Sequence, residues 1–265
     1  MFIRPDWPAP SHIKAICTTR EGGVSLAPFD TFNLALHVGD NPDNVATNRQ
    51  YLVEYANLPS EPLWLDQQHT DLSLEISETI SNDLSSASLT QPPPVADASW
   101  TMKPHCVSVV MTADCLPVLI TNKKGTLVSA IHAGWKGLQK GIVGKTIAEF
   151  SSKTDCSPNE LLVWIGPAIS ANHFEVGQDV LDAFTSKDSL NKAFFNPIKA
   201  KEASQPPKYL ADLVGLVTRE LNLLGIKQVY GGNLCSYSQS ELFYSYRRSG
   251  QTGRMASLIW IEPSL

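Results

Sequence analysis

Two histidines and a cysteine carry the most chemistry in this sequence: His69 in LDQQHTD, Cys115 in TADCLPVLI and His132 in IHAGWKG. Thiolate and imidazole are donors that zinc prefers, and copper binds them too. Two His and one Cys leave a fourth tetrahedral position open. In such sites a bound water loses a proton near neutral pH. The same residues support a second chemistry without metal, with Cys115 as nucleophile and His132 as its base. The plainer alternative is that Cys115 and His132 are ordinary buried residues, which spacing alone does not exclude. A closed structural zinc site would need a fourth ligand, for which His105 and Cys106 are the nearest spare donors. No closely spaced His/His/Cys set with an axial Met points to blue copper.

Charged neighbours add to the set. Asp114 precedes Cys115, and Asp97 lies in VADASWT; either carboxylate is a candidate acid/base. Gly134 and Gly137 open a helix after His132, and backbone N–H groups at a glycine-rich helix start favour an anion. Lys136 adds charge there. Arg247 and Arg248 offer bidentate donors, against the commoner alternative of a solvated turn. Arg20 sits beside a Gly-Gly turn, and Arg49 lies on a helix.

The elements that must position these groups follow from pattern. Val107–His132 reads as three short strands in an antiparallel hairpin arrangement, with Cys115 and His132 each just past an apolar run. A helix begins near Leu138 and runs through Phe150. Ile13–Thr18, Leu161–Ile165, Val229–Tyr230 and the terminal ASLIWI read as strands. Asn44–Asn57 is helical, with Asp43 or Asn44 as N-cap. Val180–Phe184 is helical, and Leu210–Leu224 is the clearest amphipathic helix, with Gly225 just past its end. Residues 81–95 read as a surface loop and 185–208 as a polar excursion. Helices alternate with strands, but the antiparallel hairpin argues for mixed sheets of an α/β (α+β) fold.

The chain has 265 residues and a net charge of −5, with 43% hydrophobic and 18% charged residues. That composition suits a soluble globular protein with a real core, and we expect one domain over 1–265. A mildly acidic chain is a poor non-specific nucleic-acid binder. No apolar run is long enough for a bilayer, and the proline-containing N-terminus has no signal-peptide core. Five cysteines without a CxxC pair argue for reduced thiols and the cytoplasm. No interface pattern separates monomer from homodimer.

TADCLPVLI (112–120) and IHAGWKGLQKGIV (131–143) resemble the two signature motifs of the laccase-domain, or YfiH-type, family. The resemblance extends through TTREGGVS, FNLALHVGD, Asn48-Arg49, QQH, GPAIS, FEVG, LCSY and FYSYRRSGQTGR. It implies a YfiH-type mixed-sheet sandwich with a cysteine-hydrolase-like core, similar to a bacterial deamidating toxin. It implies that His69, Cys115 and His132 hold a metal, zinc or else copper. It implies phosphorolysis of adenosine, inosine, guanosine and S-methyl-5′-thioadenosine, and deamination of adenosine. Purine nucleoside and inorganic phosphate are then the expected partners, with Arg20, Asn33, Arg49, Lys136 and Arg248 as candidate contacts. Alternatives are an amidase that edits peptidoglycan precursors, a copper polyphenol oxidase and a non-enzymatic zinc-binding module. Six histidines are few for a multicopper oxidase. The sequence departs from the family pattern at Thr70, where Gly is common, at Ser236, where Thr is common, and at Ser249, where Asp is common.

Overall fold

The computed structural model describes residues 1–77, 92–200, 202 and 204–262. Its strands are β1 (Phe2–Ile3), β2 (Ile13–Thr18), β3 (Ser73–Glu75), β4 (Ala98–Thr101), β5 (Val107–Thr112), β6 (Leu116–Asn122) and β7 (Val128–Ala133). They continue as β8 (Leu161–Ile165), β9 (Glu175–Gly177), β10 (Phe195–Ile198), β11 (Lys208–Ala211), β12 (Gln228–Gly231) and β13 (Met255–Ile261). The helices are α1 (Pro42–Ala56), α2 (Trp135–Lys140), α3 (Ile142–Lys153), α4 (Gln178–Thr185), α5 (Leu213–Leu223) and α6 (Tyr246–Ser249).

Strands β5 to β8 and β13 are buried along their whole length because both faces are covered. A mixed six-stranded sheet runs β12-β8-β6-β7-β4-β3, and a four-stranded sheet runs β1-β2-β13-β5. The faces of β6 and β7 alternate cleanly. Leu116, Val118, Ile120 and Ile131 pack under the helices with Ile147, Phe150 and Val217. Leu119, Val128 and Ala130 face Val110, Met255 and Ile259 of the other sheet. Val109, Leu258 and Trp260 point outward to Leu52 of α1. The layers are therefore helix, sheet, sheet, helices. A buried serine cluster ties the two sheets: Ser99 and Ser108 share a 2.6 Å bond, and Ser129 donates to the Ser99 carbonyl.

The antiparallel pair within 107–132 is β6–β7 alone. Its expected third strand, β5, pairs with β13 in the other sheet. Residues 113–115 thus carry the chain from one sheet to the other. The helix expected from Leu138 is two helices, divided at Gly141, whose φ of 85° ends α2 in a left-handed turn. Helix α1 starts at Pro42 and is capped by Asn41, whose side chain accepts from Asp43 N. Leu210 and Ala211 belong to β11; Asp212 caps α5 by accepting from Gly215 N. The excursion at 185–208 contains β10, which pairs with β11 in a small antiparallel sheet completed by β9. The loop expected over 81–95 lies mostly outside the described residues; its end returns as an Asp66–Val95 bridge. No described helix is long and apolar enough to cross a membrane.

Candidate metal centre

The residues of the crossing and the end of β7 bring the first two donors together. On β7, side chains at 128, 130 and 132 share a face, so His132 ends the row that packs between the sheets. Cys115 lies one residue before β6. Its neighbour Asp114 has φ 99°, a strained backbone that three bonds hold in place. Asp114 Oδ1 accepts from Ser236 Oγ at 2.7 Å, Oδ2 accepts from Arg247 N at 2.6 Å, and its carbonyl accepts from Ile169 N.

His69 arrives on a loop. Gln67 docks that loop on the strand β5, accepting from Met111 N at 2.7 Å and donating to Met111 O at 2.8 Å. Lys140, at the end of α2, donates to the His69 carbonyl at 2.9 Å. His69 has φ 56°, and its N–H donates to Asp97 Oδ1 at 3.1 Å. Thr70 donates to Asp97 Oδ2 through both N and Oγ1, each at 2.6 Å.

Asp97 is fully buried and is the hub of the site. Besides the His69 loop it bonds His132 Nδ1 at 2.7 Å. That contact leaves Nε2 of His132 as the free donor, a carboxylate–histidine pairing common behind metal ligands. His69 Nε2 lies 3.7 Å from Cys115 Sγ, and the ring centroids of His69 and His132 are 4.8 Å apart. Ligand atoms of His69, Cys115 and His132 all lie within 4.8 Å of one another, the single such His/Cys/Asp/Glu cluster among the described residues. His132 is buried, while His69 and Cys115 are partly exposed, so the set opens on one side.

Gly134 tests whether the set fits a metal. A Cβ there would stand 2.6 Å from His69 Cδ2 and 2.9 Å from Cys115 Sγ. The bare backbone at Gly134 thus leaves the room that the His69 and Cys115 side chains occupy. Electrostatics agree. Burial penalises the Cys115 thiolate, yet His132 and His69 outweigh it and bring the thiol down to about 6. Burial likewise opposes charge on His132, but Cys115 and Asp97 raise it to about 9. Asp97 is held down to about 2, since its bonds from His132 and Thr70 overcome the cost of burial.

The other candidates fall in several places. Arg20 donates to Asp30 and to the carbonyls of Asp30 and Ser240. Arg49 lies 3.8 Å over the Trp64 ring and donates to Leu34 O. Arg248 clasps the carbonyls of Ser236, Tyr237 and Phe243. Asn33 is fully buried and joins Ala35, Asp40 and the backbone N of Arg254. Lys136 is exposed on the first turn of α2. Cys106 lies in a separate apolar cluster with Leu63, Leu65, Ile76 and Ala96. The departures at Thr70 and Ser236 keep polar contacts, each giving a hydroxyl to an aspartate of the site. Gln67, Gly134 and Arg254 lie within recognisable sequence motifs, but the docking role of Gln67, the space-keeping role of Gly134 and any role for Arg254 were missed.

The sequence model of a family described as "Multi-copper polyphenol oxidoreductase laccase" matches residues 14–262. The chain belongs to this laccase family. A Haemophilus influenzae member named purine nucleoside phosphorylase is 46% identical over 260 residues, covering 98% of this chain and 99% of that one. The Escherichia coli member, named purine nucleoside phosphorylase YfiH, is 43% identical over 261 residues, covering 98% of each. The crystal structure of a Neisseria meningitidis protein of the DUF152 family superposes with a TM-score of 0.85 at 41% identity, covering 99% of both chains. The layered mixed-sheet fold is thus that of the YfiH-type laccase family.

Proposed function

We propose that this laccase-family protein is a metal-dependent purine nucleoside phosphorylase. It would convert adenosine, inosine, guanosine or S-methyl-5′-thioadenosine and phosphate to free base and the ribose 1-phosphate, and would also deaminate adenosine. One observation carries the reading: a three-donor set that is open on one side and given room by Gly134, in a chain 43–46% identical end to end to proteins named for that activity. Two imidazoles and a thiolate suit zinc first and copper second. The bound metal would supply a Lewis acid at the open position.

The chain's own residues do the positioning. Asp97 fixes the tautomer and aim of His132 and the backbone of His69 together. Asp114 holds Arg247 and Ser236 against the Cys115 turn. In phosphorolysis phosphate attacks the anomeric carbon as the base leaves, so the protein must hold phosphate and nucleoside in line. Lys136 offers an exposed ammonium for that purpose, whereas Arg20, Arg49, Arg248 and Asn33 already bond the protein and would act by holding its backbone. Five unpaired cysteines support a reducing compartment, the cytoplasm.

The test is metal content of protein purified without added metal, together with base release from inosine with and without phosphate. We expect one zinc per chain and phosphate-dependent hypoxanthine release. A C115A variant with undiminished phosphorolysis and deamination would sink the proposal.

A second reading draws on the Asp97–His132–Cys115 array, with its lowered thiol and raised imidazole. Such an array also suits a cysteine amidase acting on cell-wall precursors. It requires that iodoacetamide label Cys115 in metal-free protein and abolish amide hydrolysis, while added zinc restores nothing. A multicopper oxidase draws less support, because the histidines are dispersed: His12 bonds Gly125 O and His173 stacks on Tyr237.

A further inference from the structure

Arg254, like Arg49 and Arg247, lacks a carboxylate partner among the described residues, but it stands next to the crossing that carries Cys115. Arg20 has Asp30, Arg219 has Asp188, and Arg248 has three carbonyls. Arg254 itself is half-buried. Its Nη1 donates to the carbonyls of Thr252 and Gly253, at 2.8 and 3.0 Å. That leaves Nε and Nη2, the edge of the guanidinium that grips an oxyanion side-on, with no hydrogen-bond partner among the described residues. An unpaired charge taken partly out of water is costly, so its persistence points to an absent anion.

The side chain is also aimed and fixed. Asn33, itself fully buried, accepts from Arg254 N at 3.0 Å and sets its backbone. The Tyr246 ring lies 6.0 Å from the guanidinium and is 61% exposed, forming an open wall beside it. Arg254 directly precedes Met255, which pairs with Thr112 at the end of β5, so it stands next to the 113–115 crossing, whose negative groups are Cys115 and Asp114. Neither is free to pair with it: Cys115 belongs to the donor set, and both Asp114 oxygens accept from Ser236 and Arg247.

We infer that Arg254 binds the phosphate co-substrate, gripping two of its oxygens through Nε and Nη2 beside the His69–Cys115–His132 set. The identity of the anion rests on the phosphorylase reading; the anion site itself does not. Tyr246, exposed beside the guanidinium, then stands on the solvent side of the bound phosphate.

The test compares metal-loaded wild type with R254Q and R254K. Inorganic phosphate is titrated calorimetrically, and KM is measured separately for phosphate and for inosine. Loss of a charge-assisted bidentate pair weakens phosphate about 10- to 100-fold in both Kd and KM. The KM for inosine and the metal content stay near wild type in R254Q. R254K keeps the charge without the fork and falls between. Equal phosphate affinity in wild type and R254Q overturns the assignment, as does a wild type that binds no phosphate. If R254Q does not fold, R254K decides: undiminished phosphate affinity there overturns it. A wild type that binds phosphate through Arg254 yet releases no base from inosine rejects the phosphorylase reading and leaves the anion site standing.

Discussion

Gly134 matters to the donor set by what it lacks. A methyl group there meets His69 and Cys115 at once, and neither can withdraw, since Gln67, Lys140 and Asp97 fix the His69 loop. G134A should therefore fold but bind no zinc, read as metal per chain after equilibration with excess zinc and gel filtration; full occupancy would contradict the space-keeping role. Asp97 acts differently, by aim. D97N should lower zinc affinity about 10- to 100-fold in a chelator competition, the usual cost of losing a carboxylate behind a metal-bound histidine. Cys115 and His132 were legible in the sequence because each follows an apolar run within a recognisable motif, and His69 because it closes the QQH string. The room left by Gly134 was not, because a glycine beside a helix start looks the same whether it admits an anion or clears room for a neighbouring ligand. Arg254 was hidden for a related reason: nothing in SGQTGR marks which arginine will lack a partner once the chain has folded.

At the scale of elements, the helix following β7 shows how one residue divides a pattern. The apolar periodicity runs on through 138–150, but Gly141 turns left-handed and starts a second helix. No atom lies within 4 Å of a Cβ added there, so G141A meets only backbone strain. It should lower stability by about 1–2 kcal/mol in urea unfolding with kcat/KM unaltered; a stable G141A would mean that the turn relaxes. Boundaries failed elsewhere for tertiary reasons. Leu210 and Ala211 fit the stripe of α5 but are claimed by the pairing of β11 with β9 and β10. Phe195–Ile198 contains a proline and two exposed residues, and only its edge position makes it a strand. The start of the first helix was misplaced too: its cap is Asn41 with Pro42 at the first helical position, not Asp43 or Asn44.

For the molecule as a whole, α/β character and mixed sheets could be read from alternating elements and the antiparallel hairpin within 107–132. Assignment of β5 to a second sheet could not, since an apolar strand does not name its partner. Stability over pH is also a property of the whole. Burial raises the Glu220 carboxyl above its ordinary value, although Gly144 N and Lys187 favour its charge. Protonation therefore favours the folded state, so this contribution is full below the ordinary carboxyl pKa and is lost as pH rises through the folded one. E220Q keeps an acceptor for Gly144 and should melt higher than wild type at pH 7, with the difference gone at pH 4; a lower melting point at pH 7 would reverse the sign. The crossing at 113–115 has a mechanical meaning. Three residues join a strand of one sheet to a strand of the other, and the thiol is the last of them. The short crossing therefore ties the position of that sulfur to the packing of both sheets, which the Ser99–Ser108 bond and the core of Leu119 and Val128 against Val110 and Met255 hold in register.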